Sequence, residues 1–218
     1  MGSRSAPGAS SPKLAWSGEV LAVQPRIRLT RSYDQRQHSY LGYCLRVKGK
    51  AAGPPGEFTV GIGKATQEKF AFRAGDGVSG QAEPVADPRL DSADYYKTSG
   101  LVRVRRATVE PGEPPPRLGV PPSLEEYRAR GHRRLDARTY AASCRTCIWG
   151  CRMAVDMIVD QWKPRQRRYR TETFCYGPKS CRIYKAGPTR KVPGRRGMSW
   201  EEEDWVDDDA TAHREPDE

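Results

Sequence analysis

Five of the six cysteines lie within 38 residues of one another, in two short stretches. Cys144, Cys147 and Cys151 have the spacing C-x2-C-x3-C, and Cys175 and Cys181 follow as C-x5-C. Two thiolates separated by so few residues can bind one ion, because the backbone between them holds both sulfurs in a single coordination sphere. The sequence therefore predicts a metal site, with these five cysteines as candidate ligands.

Zinc is the expected metal because it binds four ligands in a tetrahedron, which four of the thiolates, or three and a histidine, can supply. A [4Fe–4S] cluster is the alternative, since it also takes four cysteines and tolerates irregular spacing. His132 and His213 are possible substitute ligands, although a lone histidine usually faces solvent. Buried thiols without any metal are the remaining interpretation.

A fifth cysteine beside a metal could be a reactive thiol. The sequence around it lacks the base and orienting group that a nucleophile needs. A Ser/His/Asp pattern, a P-loop and a complete dinucleotide-binding glycine motif are also missing from the sequence. We therefore do not predict an enzyme.

The elements around the cysteines must bring the two stretches together. Residues 154–162 fit either a helix face or a buried strand, whereas Tyr169–Phe174 alternates like a strand that enters Cys175. Gly150 and the Gly177-Pro178 pair allow tight bends. A hairpin-like return of the chain is the expected arrangement.

The charge is distributed unevenly along the chain. The formal net charge is +11, but residues 199–218 carry −9, so residues 1–198 carry about +20. A body this basic favours a polyanionic partner, most simply RNA or single-stranded DNA. The alternative is that the cations are scattered solvating charges.

The sequence predicts a disordered N-terminal segment over residues 1–13 and a small all-β domain over residues 14–108. Several short segments alternate or are apolar, with Gly-rich turns between them: 19–24, 26–30, 40–48, 58–63, 69–73, 78–81 and 101–106. Five or so strands without a long helical pattern indicate a small barrel.

Three of these segments alternate apolar and basic residues, as Ile27 and Leu29 do with Arg26 and Arg28. The same pattern predicts that Val102 and Val104 face the interior and that the cations lie outside the barrel. The candidate phosphate-binding residues of this domain are Arg26, Arg28, Arg46, Lys48, Arg103 and Arg105, with Tyr40 available to stack on bases.

Trp16–Val20, the segment Phe72–Gly80 and the spacing of the five strands resemble an OB-fold over residues 14–106. The resemblance implies a barrel that binds single-stranded nucleic acid or folded RNA across one face. The insert at residues 82–100 departs from a minimal barrel of this kind.

Residues 109–122 are rich in proline and predict a spacer. Ser123 and Glu126 then form a capping box, which predicts a helix as far as about Arg130. The fold class is thus mainly β, with an OB-like five-stranded barrel followed by a small α+β metal module at 123–198 and an acidic tail at 199–218.

Residues 163–196 contain twelve Lys or Arg and one Glu, and 185–197 is expected to be an extended basic loop. The candidate nucleic-acid contacts of this module are Arg165, Arg167, Arg168, Lys185, Arg190, Lys191, Arg195 and Arg196. The tail contains Trp200 and Trp205, large rings that favour a surface over solvent. We therefore expect the tail to fold back over the basic module and compete with nucleic acid, or to bind a protein partner.

Two further expectations concern location. No run of 18 apolar residues or signal-like segment occurs, so a membrane partner is not predicted. Clustered cysteines that bind metal favour a reducing, cytoplasmic compartment. Partners in an assembly remain a third class of function, beside nucleic-acid binding and an iron–sulfur redox or sensing role.

Overall fold

The computed structural model describes residues 12–108, 115–163 and 165–215, and these ranges are mostly β. The strands are β1 Leu14–Arg31, β2 Arg36–Lys50, β3 Gly56–Ile62, β4 Gly77–Pro84, β5 Tyr95–Arg105, β6 Arg133–Arg134, β7 Gly150–Ile158, β8 Arg167–Cys175, β9 Arg190–Pro193 and β10 Ser199–Glu202. The helices are α1 Lys64–Phe70, α2 Leu124–Arg130, α3 Ala137–Thr139, which continues as a π-helical turn over Tyr140–Cys144, and α4 Trp205–Thr211; a 3-10 turn spans Arg195–Gly197. None of these helices is long and apolar enough to cross a membrane.

Five strands form a ring in the order β1-β2-β3-β5-β4, which β4 closes by pairing with β1. The β3–β5 contact is parallel and consists of the single pair Val60 and Tyr95, so the ring closes least tightly there. Its interior holds side chains that alternate along the strands, among them Val20, Leu45 and Val47, which are fully buried. The predicted five-stranded architecture is confirmed at this level.

β1 is long enough to serve two parts of the sheet. Leu14–Glu19 pairs with β4, whereas Arg28–Arg31 pairs in parallel with β7. β8 and β6 then extend the sheet beyond β7. One apolar core consequently runs from the ring interior to the side chains of Met153 and Phe174 on β7 and β8. The cysteine segments are therefore attached to the same sheet as the ring.

Several local predictions are confirmed. Ser123 caps α2 by accepting the Glu126 backbone N–H at 3.1 Å, and the helix ends before Gly131, whose φ is +67°. β7 and β8 form the expected antiparallel hairpin, and 150–158 is a strand, the second of the two possibilities. The domain boundaries and the spacer at 109–122, of which 109–114 lie outside the described residues, stay predictions.

Other local predictions are wrong. The segment 69–73 is not a strand, because Lys64–Phe70 contains good helix formers and ends in a left-handed turn at Ala71. Val102 and Val104 are 52 % and 69 % exposed, because this end of β5 pairs with β4 alone and runs past the ring. The expected loop at 185–197 contains β9, which pairs with β10 of the tail.

Candidate metal centre and nucleic-acid interface

Four of the five candidate cysteines line one cavity of about 460 Å³, which we call the thiol cavity. Its cysteines are Cys144, Cys147, Cys175 and Cys181. The first two follow α3, at the end of the π-helical turn, and the other two flank the turn after β8. All six cysteines are free thiols. In residues 12–108, 115–163 and 165–215, no three His, Cys, Asp or Glu side chains are grouped closely enough to hold one metal ion directly.

Cys151 is the exception among the predicted ligands. It lies on β7, is fully buried in the main core, and its Sγ is 3.4 Å from the carbonyl oxygen of Pro25. The strand geometry turns its side chain away from the cavity, because Gly150 begins β7 and neighbouring residues on a strand face opposite ways. In this arrangement Cys151 lies outside the thiol cavity, and its role as a ligand stays a prediction.

Neither candidate histidine lines the cavity. The His132 ring is packed against His38, Phe174 and Tyr176, with ring centroids 4.6–5.6 Å apart. His213 Nε2 lies 2.7 Å from the Ala129 carbonyl oxygen. Their role as substitute ligands is not supported by these positions.

A buried glutamine on β1 holds the first cysteine turn against the ring. Gln24 Nε2 donates to the carbonyl oxygens of Cys144 at 2.9 Å and Cys147 at 2.8 Å. Its Oε1 accepts the Tyr140 hydroxyl at 2.8 Å. Gly150 leaves room for this contact, since a Cβ there would lie 2.4 Å from the Cys144 carbonyl oxygen. The sequence contains no signal for this role, because it depends on a partner more than 100 residues away.

The second turn is attached to the first by backbone hydrogen bonds. The Tyr176 N–H donates to the Trp149 carbonyl oxygen at 2.9 Å, and Gly150 is opposite Cys175 in the β7–β8 register. The Gly177 N–H lies 3.4 Å from the Cys175 sulfur. Each cysteine turn therefore has a fixed position relative to the other.

The environment of the four thiols is apolar but includes donors to sulfur. Burial raises the pKa of Cys147, and hydrogen bonds from the backbone N–H groups of Trp149, Arg117 and Gly150 oppose that rise. Burial, and then the neighbouring thiols, raise the pKa of Cys144 to about 12. Burial favours the protonated thiols, whereas a bound metal cation would favour the deprotonated thiolates.

A second concavity, of about 720 Å³, lies where the ring, the β7–β8 hairpin and β9 meet; we call it the basic groove. Its cationic lining residues are Arg46, Arg145, Arg152, Arg170, Arg190 and Lys191. Glu172 is the carboxylate in the lining, and it contacts Arg170 and Arg190. Glu57 contacts Arg46 and Arg145. With six cations against these two carboxylates, the groove keeps an excess of positive charge.

The groove and the thiol cavity share a wall. Leu135 and Tyr140 line the groove and also belong to the apolar cluster of Cys144, Cys147 and Cys175. Arg145 directly follows Cys144 in the chain. The cysteine turns therefore support one side of the basic groove.

Three predicted nucleic-acid contacts, Arg46, Arg190 and Lys191, line the groove. The sequence analysis missed Arg145, Arg152 and Arg170. For Arg152 a signal existed, because it is a charged residue within the apolar run of β7 and is exposed where its neighbours are buried.

The other predicted contacts are distributed elsewhere. Arg26 is not an open cation on the barrel surface, because its side chain is 12 % exposed and paired with Asp91. Tyr40 is half-buried, with the Arg128 guanidinium 4.8 Å from its ring centroid. Three of the predicted cations form ion pairs: Arg105 with Glu19, Arg167 with Asp156 and Arg195 with Asp160. Arg103 donates a hydrogen bond to the Phe70 carbonyl oxygen. Arg28 is half-buried, and Lys48, Arg165, Arg168, Lys185 and Arg196 are exposed.

The acidic tail is packed against basic residues of the same chain. Glu202 lies 2.9 Å from Arg31 and 3.1 Å from Arg36, and Asp207 lies 3.0 Å from Arg134. β10 pairs with β9, which borders the basic groove. Competition between the tail and nucleic acid stays a prediction.

Comparison of the chain with protein-family models, with curated proteins and with solved structures gave no significant match.

Proposed function

We propose that the chain binds RNA or single-stranded DNA in the basic groove. The carrying observation is that six Arg and Lys side chains from β2, β7, β8, β9 and the first cysteine turn line one concavity, in whose described lining Glu172 is the one carboxylate. Cations neutralise phosphates with little sequence preference, and a concave basic surface can bind several consecutive nucleotides of a single-stranded nucleic acid. Binding of this kind requires no chemical step, so the proposed function is non-catalytic.

The ring is the second part of the proposal. Its five strands and partly open closure support an OB-like barrel over residues 14–106, a fold that binds oligonucleotides on the face of its second and third strands and the adjoining loops. Arg46 on β2 belongs to that region and lines the groove. The OB-like face and the groove would therefore form one continuous binding surface.

The cysteine turns have a structural part in this function. Arg145 of the first turn lines the groove, and Leu135 and Tyr140 pack against the cysteines, so a metal bound by the four thiol-cavity cysteines would fix the position of Arg145 and of the β7–β8 hairpin. We expect loss of that metal to weaken nucleic-acid binding without any direct contact between the metal and the ligand.

The experiment is a salt titration of binding to short single-stranded RNA and DNA of the same sequence, followed by fluorescence anisotropy. Arg152→Gln and Lys191→Gln should each weaken binding to both and lower the slope of log K against log salt by roughly 1. Lys69→Gln on α1, an exposed cation that does not line the groove, is the matched control and should change neither. Binding that is insensitive to salt, or equal losses in all three variants, would contradict the proposal and favour a protein partner.

A further inference from the structure

The size of the thiol cavity bears on which metal it takes. A zinc ion holds its thiolates at about 2.3 Å, so the four sulfurs of such a site lie roughly 3.8 Å apart and enclose no further space. In the described ranges no three of these sulfurs are grouped closely enough to hold one ion, and the four cysteines border a cavity of about 460 Å³ together with other side chains. Zinc, the metal expected from the sequence, would require both turns to collapse into that space.

The backbone resists such a collapse. The first turn is held by Gln24 and by the Cys147 N–H, which donates to the Cys144 carbonyl oxygen at 3.1 Å. The second is held by the β7–β8 ladder at Cys175 and by the Cys181 N–H, which donates to the Pro178 carbonyl oxygen at 3.2 Å. Moving the first turn into the cavity would break its buried hydrogen bonds to Gln24, and moving the second would distort the β7–β8 ladder at Cys175.

We propose that the thiol cavity binds a [4Fe–4S] cluster, with Cys144, Cys147, Cys175 and Cys181 as its four ligands. In a cubane each thiolate binds a different iron, so the four cysteines stand at separate corners around a volume that the iron and sulfide ions occupy. The four cysteines that line one cavity supply the four ligands that this arrangement needs.

The lining suits the cationic cluster core once its four thiolates are bound, because the whole group then carries a net negative charge. Arg117 and Arg182 contribute positive charge, and Trp149 and Ile183 contribute apolar surface. The Gly177 N–H donates to the Cys175 sulfur at 3.4 Å. Hydrogen bonds to the sulfurs and exclusion of water are the means by which a protein stabilises such clusters. Because all four irons have a cysteine ligand, no iron is open to a substrate.

The test uses the full-length chain, purified without oxygen and supplied with equal amounts of ferrous and ferric iron, sulfide, and zinc at the concentration of total iron. The proposal predicts about four iron and about four acid-labile sulfide ions per chain. One zinc per chain with no iron would show that the turns collapse around a single ion and would overturn the proposal. A chain that retains neither metal would overturn it as well.

Variants test the ligand set. Cys175→Ser and Cys181→Ser should each lower bound iron at least tenfold, whereas Cys44→Ala and Cys151→Ala should retain it, because those two thiols lie outside the cavity. Equal iron loss in Cys151→Ala would contradict the assignment. Should the ligand variants fail to fold, Mössbauer spectra of the unaltered chain report the cluster type directly, and a spectrum without a cubane signature would reject it. Salt-dependent binding in the groove is measured separately, so either proposal can fail alone.

Discussion

The side-chain amide of Gln24, in the middle of β1, lies 2.8 Å from the carbonyl oxygen of Cys147. This hydrogen bond joins the ring to the first cysteine turn, and the same amide nitrogen also reaches the Cys144 carbonyl oxygen. Gln24 is 7 % exposed, so water does not replace the contact when it is lost. The residue thereby couples the stability of the ring to the position of two proposed ligands.

We predict that Gln24→Leu lowers the free energy of unfolding by about 2–4 kcal/mol, because it leaves buried carbonyl oxygens and the Tyr140 hydroxyl without their partner. The variant should also bind less metal. Gln81→Leu, an exposed position on β4, is the control and should change stability by less than about 0.5 kcal/mol. Urea unfolding and metal analysis of both variants make the comparison. Equal stability of the two would show that the amide is not the connection.

The second prediction concerns the tail and the rim of the groove. Glu201 accepts a hydrogen bond from the Thr189 hydroxyl at 2.6 Å, and Thr189 lines the basic groove. Glu201→Gln removes a negative charge at this rim and should tighten single-stranded RNA binding at low salt, by at most about fivefold because the site is exposed. Glu203→Gln, exposed in the same tail, is the control. If both variants tighten binding equally, the effect is one of net charge and not of the rim.

Deletion of residues 199–218 is a poorer test of the same idea. Val206, Thr211 and Arg214 are at most 5 % exposed, and Arg214 donates to the carbonyl oxygens of Tyr176 and Gly177 beside the second cysteine turn. Removing the tail would uncover this surface and loosen the turn. A point substitution changes the charge and keeps the packing.

The third prediction concerns an irregularity in the ring. β2 has one extra residue, between Tyr40 and Gly42, that has no partner on β1. Gly42 has a φ of +124°, and a Cβ added to it would lie only 2.1 Å from the Ile62 carbonyl oxygen. Gly42→Ala should therefore lower the free energy of unfolding by about 1–3 kcal/mol. Gly56→Ala, where a Cβ would meet nothing within 4 Å, is the matched control. Thermal unfolding of the two variants tests the claim, and equal midpoints would refute it.

Local patterns in the sequence predicted those parts of the fold that depend on neighbouring residues. Alternation identified β1, β2 and β8, and the Ser123 cap placed the start of α2. The cysteine spacing identified five candidates, four of which line one cavity. Each strand, cap and cysteine-stretch signal depends on residues within one short segment of the chain.

Long-range contacts account for what was missed. The parallel pairing of Arg28–Arg31 with β7 joins segments more than 100 residues apart, and it carries Cys151 into the core and away from the cavity. The tail was expected to fold back over the basic module, but its strand pairing through β10 and the burial of Glu202 were not predicted. Such pairings depend on the whole chain, and one sequence taken by itself contains no direct signal for them.

The fourth prediction is that stability falls as the pH falls from about 6.5 toward 4. Burial, and then the charges of Arg36 and Arg31, lower the pKa of His38 from 6.5 to about 4, and its ring lies 4.7 Å from that of His132, whose pKa burial also lowers. In this pH range His38 binds a proton in the unfolded chain but not in the folded chain. Protonation therefore lowers the free energy of unfolding by roughly 3 kcal/mol once His38 titrates fully. Above pH 6.5 this loss of stability is absent. The thiolates of a bound metal centre also protonate on acidification, so the contribution of His38 must be isolated by substitution.

His38→Gln should flatten the dependence of the unfolding free energy on pH, measured by urea unfolding at several pH values, whereas exposed His213→Gln should leave it as it is. An unchanged slope in His38→Gln would mean that other groups cause the acid sensitivity.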